Sequence, residues 1–155
     1  MSEISSTTLL SADRTLGRLA RWLRLCGLDV TFDPAIGGAD LLHQARREGR
    51  IALTRDKRLR TAKDVVFVES GLVREQLAQV LTQLHLDPSA AALTRCPRCN
   101  SVLQSVQRET VMTRVPPFVY ASHEVLSECA GCGHLYWPAT HCRRILAELA
   151  ALSHA

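Results

Sequence analysis

The sequence predicts an α/β fold: a small parallel sheet of about four strands with flanking helices, followed by a second unit built on cysteine pairs. Two observations carry this. Short apolar runs alternate with amphipathic segments through residues 7–85, the pattern of parallel strands joined by crossover helices. After a stretch containing Asp87, Pro88 and Ser89 the texture changes, and five of the six cysteines follow residue 95.

Residues 7–12, rich in Thr and Leu, form the first expected strand, and Asp13 ends it. From Arg14 onward Leu16, Leu19, Ala20 and Leu23 share one helical face, while Arg14, Arg18 and Arg21 share the opposite one. Gly27 is placed to stop this helix. Residues 28–32 are a second strand, and residues 33–38 a loop by their Pro and Gly content. A second helix opens at Asp40, buries Leu41, Leu42 and Ala45, and ends at Gly49. Residues 50–54 are a third strand. Residues 65–68, four apolar side chains in a row, fit a strand buried on both faces. Residues 72–85 place Leu77, Val80, Leu81 and Leu84 at helical spacing. The expected domain limits are 1–86, a linker at 87–93, and a second unit at 94–155. In that unit hairpin strands are expected near 102–106 and 118–126, and a final helix at about 142–152.

Composition excludes little. The chain has 155 residues, 46% hydrophobic and 22% charged, with a net charge of +4, which is ordinary for a globular protein. Apolar runs fall short of the roughly 18–20 residues of a membrane span, and the first residues lack a signal-peptide pattern. No membrane association and a cytoplasmic location are therefore expected. The basic residues are mostly arginine, which favours bidentate contacts to phosphate or carboxylate.

The cysteine pairs are the most specific local signal. Cys96 and Cys99 form one Cys-x-x-Cys knuckle, Cys129 and Cys132 another. Two knuckles supply the four soft ligands of a tetrahedral zinc site. The gap between them exceeds the common spacing of about 15–20 residues, but a hairpin plus loop fills it, as in a zinc ribbon. Four protein ligands leave no open position, so zinc here is structural. Redox dithiols or an iron–sulfur cluster are the alternatives. Cys26 and Cys142 read as packed side chains.

Asp13, Asp40 and Asp56 are the candidate ligands for magnesium or manganese, which prefer oxygen and keep several waters. Asp13 and Asp56 directly follow predicted strands, as does Asp33. In parallel sheets ligands sit beyond the carboxyl ends of the strands. Each acid has an alternative role as a helix or turn cap. Arg14, Arg18, Arg21 and Arg55 lie near these acids and are the candidates for holding phosphate, with a solvated helix face as the alternative. No Ser-His-Asp pattern, phosphate-cradling glycine loop or dinucleotide fingerprint is present.

The stretch from Asp13 to Arg24 resembles the opening of one branch of the PIN-domain ribonucleases, the Mut-seven C-terminal type that ends in a zinc ribbon. The likeness continues through residues 40–42, 49–56 and 75–77. It includes residues 95–100, 129–133 and 136–137, and His141. The resemblance implies a PIN-like fold and metal-dependent cleavage of RNA. It places acidic ligands at Asp13 and Asp56, with Asp40 borne on a helix. Lys57 and Arg58 follow Asp56 where many relatives carry another acid, so Asp33, Asp64 or Glu69 is the candidate fourth ligand. His141 and Trp137 are possible RNA contacts or structural groups. The leading expectation is a magnesium- or manganese-dependent ribonuclease. The alternative is a non-catalytic, zinc-ribbon RNA-binding or ribosome-associated adaptor.

Overall fold

The structure is a computed structural model and describes residues 8–153, with the side chains of 141, 152 and 153 left aside. The predicted strand start at residue 7 lies outside the described residues. Four parallel strands, β1 (Leu9–Ala12), β2 (Asp29–Phe32), β3 (Ile51–Thr54) and β4 (Val65–Phe67), form a sheet in the order β2-β1-β3-β4. Ala12 aligns with Phe32 on one side and with Leu53 on the other. Three helices follow these strands: α1 (Gly17–Leu25), α2 (Gly38–Arg47) and α3 (Val73–Gln83).

The chain steps from β1 to β2 in one direction and from β2 across β1 to β3 in the other. Right-handed crossovers then set successive helices on opposite faces of the sheet. The cores agree. Leu16, Leu19 and Leu23 of the α1 segment join Leu77, Val80 and Leu81 of α3 over one face. Leu41, Leu42 and Ala45 of α2 pack with Ala52 over the other. This reversal opens a crevice at the carboxyl ends of β1 and β3, the topological switch point of an open α/β sheet.

Helix ends follow the glycine signals. At Gly27 (φ +88°) the Gly27 N–H reaches the Arg24 carbonyl, and the Leu28 N–H reaches that of Leu23, the Schellman arrangement. A Cβ at Gly27 would come within 2.0 Å of the Ala91 carbonyl oxygen, so this turn also lets the 87–93 segment approach. In that segment Pro88 is buried and the Leu93 N–H bonds the Leu25 carbonyl.

The C-terminal part carries an antiparallel sheet, β5 (Gln104–Gln107), β6 (Val125–Glu128) and β7 (Leu135–Tyr136), in the order β5-β6-β7. Here one expectation is corrected. Residues 118–122 are not strand but part of a short helix, α4 (Pro117–Ser122), and the strand starts only at Val125. Pro117 occupies the first helical turn, where its fixed φ and missing N–H are harmless, and it overrides the β-prone Phe118, Val119 and Tyr120. Val119, Val111 and Leu126 form a small core beside Trp137. The last helix, α5 (Thr140–Ser153), packs against α3, and its Ile145, Leu146 and Leu149 join the same core as α1 and α3.

The first cysteine knuckle docks on the open edge of β2. Asn100 accepts from the Val30 N–H (3.0 Å) and donates to Asp29 (2.8 Å), so an edge strand gains a partner. Arg24 is 8% exposed and donates to the carbonyls of Val30, Pro97 and Arg98. Arg50 closes the seam with a 2.8 Å ion pair to Asp29. Burial pushes the Asp29 carboxyl up, but the hydrogen bonds from Asn100 and Arg50 outweigh it and hold its pKa below the ordinary value.

Candidate active site and metal centre

Cys96, Cys99, Cys129 and Cys132 converge, with all four Sγ atoms within 4.8 Å of one another. Among the described residues no other set of three or more potential metal ligands does so. Cys96 Sγ lies 3.8 Å from Cys132 Sγ, and sulfurs bound at about 2.3 Å to one zinc stand about 3.8 Å apart on a tetrahedron. The donor set fits zinc. The Cys99 amide points at Cys96 Sγ (3.4 Å) and the Tyr136 hydroxyl lies 3.2 Å from it. Burial opposes ionisation of Cys96, yet the bonds from Tyr136 and from the Cys99 and Arg98 amides bring its pKa down to about 7. Cys99 goes the other way, up to about 12, chiefly because Cys132 is its partner. Thiols so close cannot all ionise without a cation among them, and a bound dication reverses that penalty.

At the switch point between β1 and β3 lies a cleft of about 360 Å³, walled by Asp13, Arg14, Thr15, Gly37, Gly38, Arg55, Asp56 and Arg58. Asp13 is 5% exposed. Its Oδ1 accepts from the Thr15 N–H (3.1 Å), and its Oδ2 accepts from the Thr54 hydroxyl (3.0 Å) and the Gly38 N–H (3.4 Å). It does not cap α1, which begins only at Gly17. Thr54, fully buried, also accepts from the Asp56 N–H (3.0 Å). One hydroxyl thus ties the two acidic loops together.

Asp56 also lines the cleft and caps a short 3-10 turn through the Arg58 N–H. Arg58 also grips it bidentately, at 3.0 and 2.8 Å. Those bonds hold the Asp56 carboxyl below the ordinary range. Asp40 is exposed, in the first turn of α2, and does not line the cleft. The three acids do not converge as the cysteines do.

A family model described as the Mut7-C RNAse domain matches residues 8–149. The chain belongs to the Mut7-C RNAse domain family. No curated protein and no solved structure matches it. The match spans both the sheet with its cleft and the cysteine cluster, so both belong to one family pattern.

Within this Mut7-C RNAse domain the four arginines named from sequence divide. Arg14 and Arg55 line the acidic cleft, whereas Arg18 and Arg21 line a separate groove along α1. Asp33 and Glu69 follow β2 and β4 at the cleft edge of the sheet, while Asp64 precedes β4 at the opposite edge, 3.9 Å from Arg46. Trp137 packs in the small C-terminal core, and the His141 side chain lies outside those described. Sequence reading passes over Thr54, which looks like any strand residue, and Gly37-Gly38, which looks like any loop. A Cβ on Gly37 would stand 3.2 Å from Asp13 Oδ1, and one on Gly38 3.5 Å from Asp56 Oδ2. The bare backbone keeps the space between the acids open. Among the described residues no helix is long and apolar enough to cross a membrane.

Proposed function

We propose that the protein is a magnesium- or manganese-dependent ribonuclease that acts at the Asp13–Asp56 cleft. The observation that carries this reading is the pairing of two carboxylates with Arg14 and Arg55 at the sheet's switch point, in a chain of an RNAse-domain family. Two carboxylates lining one cleft offer the hard oxygen donors that these ions prefer. Asp13 and Asp56 would hold the ion, with Asp40, exposed in the first turn of α2, as the third acid of the proposed set. When bound, the ion supplies charge stabilisation at the phosphate and lowers the pKa of a coordinated water.

The chain's own groups do the rest. Thr15, Thr54 and the Gly38 amide fix the Asp13 carboxylate in one orientation. Arg14 and Arg55 pair with phosphate oxygens and set the scissile bond against the acids. Arg58, paired with Asp56 here, would supply a third guanidinium to the phosphate once released from that carboxylate. Asp33 and Glu69 are the fourth-acid candidates at the right edge. The two units, 1–86 and 94–155 around the 87–93 segment, work as one body through the Asn100 and Arg24 seam. Zinc on the four cysteines is structural. Six free cysteines fit a reducing, cytoplasmic compartment.

A second reading, the non-catalytic RNA-binding or ribosome-associated adaptor, draws on one observation: Asp56 is engaged by Arg58 as a cap. One experiment decides between them. Wild type cleaves single-stranded RNA with manganese, and Asp13→Asn loses roughly a hundredfold or more of that rate. Equal cleavage by both proteins defeats the nuclease assignment.

A further inference from the structure

We propose that the groove between α1 and the first cysteine knuckle binds single-stranded RNA whose scissile bond occupies the acidic cleft, and that Arg98 is the residue supplied by the zinc-binding unit. It rests on the reading of the cleft as an RNA site and extends it to a part of the molecule outside the chemistry.

The groove, about 410 Å³, is lined by Arg18, Arg21, Arg24 and Arg98 with Phe32 and Gly17, and by no carboxylate. Arg24 is committed to backbone carbonyls, including that of Arg98 itself. Arg18 and Arg21 are exposed and make no ion pair among the described residues. Arg98 is also exposed, and its guanidinium bonds His134 Nε2 at 2.6 Å. His134 follows the second knuckle, so both knuckles fix the position of Arg98. Three uncompensated guanidinium groups from two units repel one another unless an anion lies between them.

The geometry favours a single strand. Arg18 and Arg21, three residues apart on α1, line the groove about 4.5 Å apart along the helix axis, and Arg14, in the turn before the helix, lines the cleft. Phe32 ends β2 beside Ala12, the residue before Asp13. Its ring packs so closely on Gly17 that a Cβ there would lie 3.1 Å away. A half-buried aromatic ring among arginines suits base stacking between phosphate contacts.

The test is fluorescence anisotropy with a labelled, unstructured 12-nucleotide RNA on the full zinc-loaded chain carrying Asp13→Asn. Arg98→Ala, and separately the Arg18→Ala/Arg21→Ala pair, should each weaken binding about five- to tenfold. Each should also flatten the salt dependence by about 0.7 for every phosphate no longer neutralised. Phe32→Leu should weaken binding with the slope unchanged, and Arg47→Ala, on α2, should change nothing. Wild-type affinity and slope in both arginine variants overturn the proposal, as does equal affinity for a duplex of the same length. Zinc content checks each variant. Should Arg98→Ala lose zinc, Arg98→Lys, which keeps the charge and should restore most of the slope, and the α1 pair carry the test. Cleavage by wild type with manganese is read separately. Groove-dependent binding without cleavage discards the nuclease and keeps the groove, while cleavage with no effect of the groove variants does the reverse.

Discussion

The cysteine cluster and the acidic cleft both gather possible metal ligands from loops between regular elements, but the cysteines reach one another while the carboxylates reach the protein. The four sulfurs converge within 4.8 Å and their mutual repulsion calls for a cation. Asp13 is satisfied by Thr15, Thr54 and Gly38, and Asp56 by Arg58. A cluster whose thiols repel one another without a cation thus contrasts with carboxylates that the protein itself satisfies. On the function proposed above, the contrast is that between a closed structural metal site and an open catalytic one.

The largest effect expected is at the closed site. Cys129→Ser should abolish the single tightly bound zinc and unfold the 94–139 region, because apparent binding energies at such sites reach about 10–16 kcal/mol. Elemental analysis and limited proteolysis read both, and a folded, zinc-free variant would break the comparison. Next is the seam between the two regions. Asn100→Ala strands the Val30 N–H and removes a donor from Asp29, and should cost roughly 1–3 kcal/mol in urea unfolding. No change would mean that the knuckle only rests on the sheet.

Smaller is a pH effect at the same seam. The folded pKa of Asp29 lies below its ordinary value of 3.8. Its contribution is therefore full above that value and disappears as pH falls through the folded pKa. Asp29→Asn should narrow the stability gap to wild type as pH drops below about 4, measured with zinc present in both proteins. A constant gap would exclude the carboxylate's charge as the cause. The smallest effect belongs to the open site. Arg58→Ala should free Asp56 and tighten manganese binding by about two- to fivefold by calorimetry, and weaker binding would show that Arg58 helps to hold the ion's site.

Much of this is legible without the fold. Apolar runs and helical periodicity mark β1 to β4 and α1 to α3, Gly27 and Gly49 mark helix ends, and the cysteine spacing marks the closed site. These signals are local. What stays hidden depends on tertiary neighbours. Nothing local distinguishes Arg24, buried against Pro97 and Arg98, from Arg18 and Arg21 on the surface. Thr54 matters only because β1 and β3 are neighbours, and Gly37 only because α2 starts beside Asp13. The amphipathic face of α5 is visible, but not that it covers α3. The run after Pro116 and Pro117 reads as strand because short apolar runs do not separate helix from strand.

The most direct test of the contrast is a crystal structure soaked in manganese. Manganese is expected within about 2.3 Å of both Asp13 and Asp56, with Arg58 turned away and zinc on the four cysteines. A manganese-free cleft with Arg58 still paired to Asp56, in crystals that hold zinc at the cysteines, would contradict that expectation.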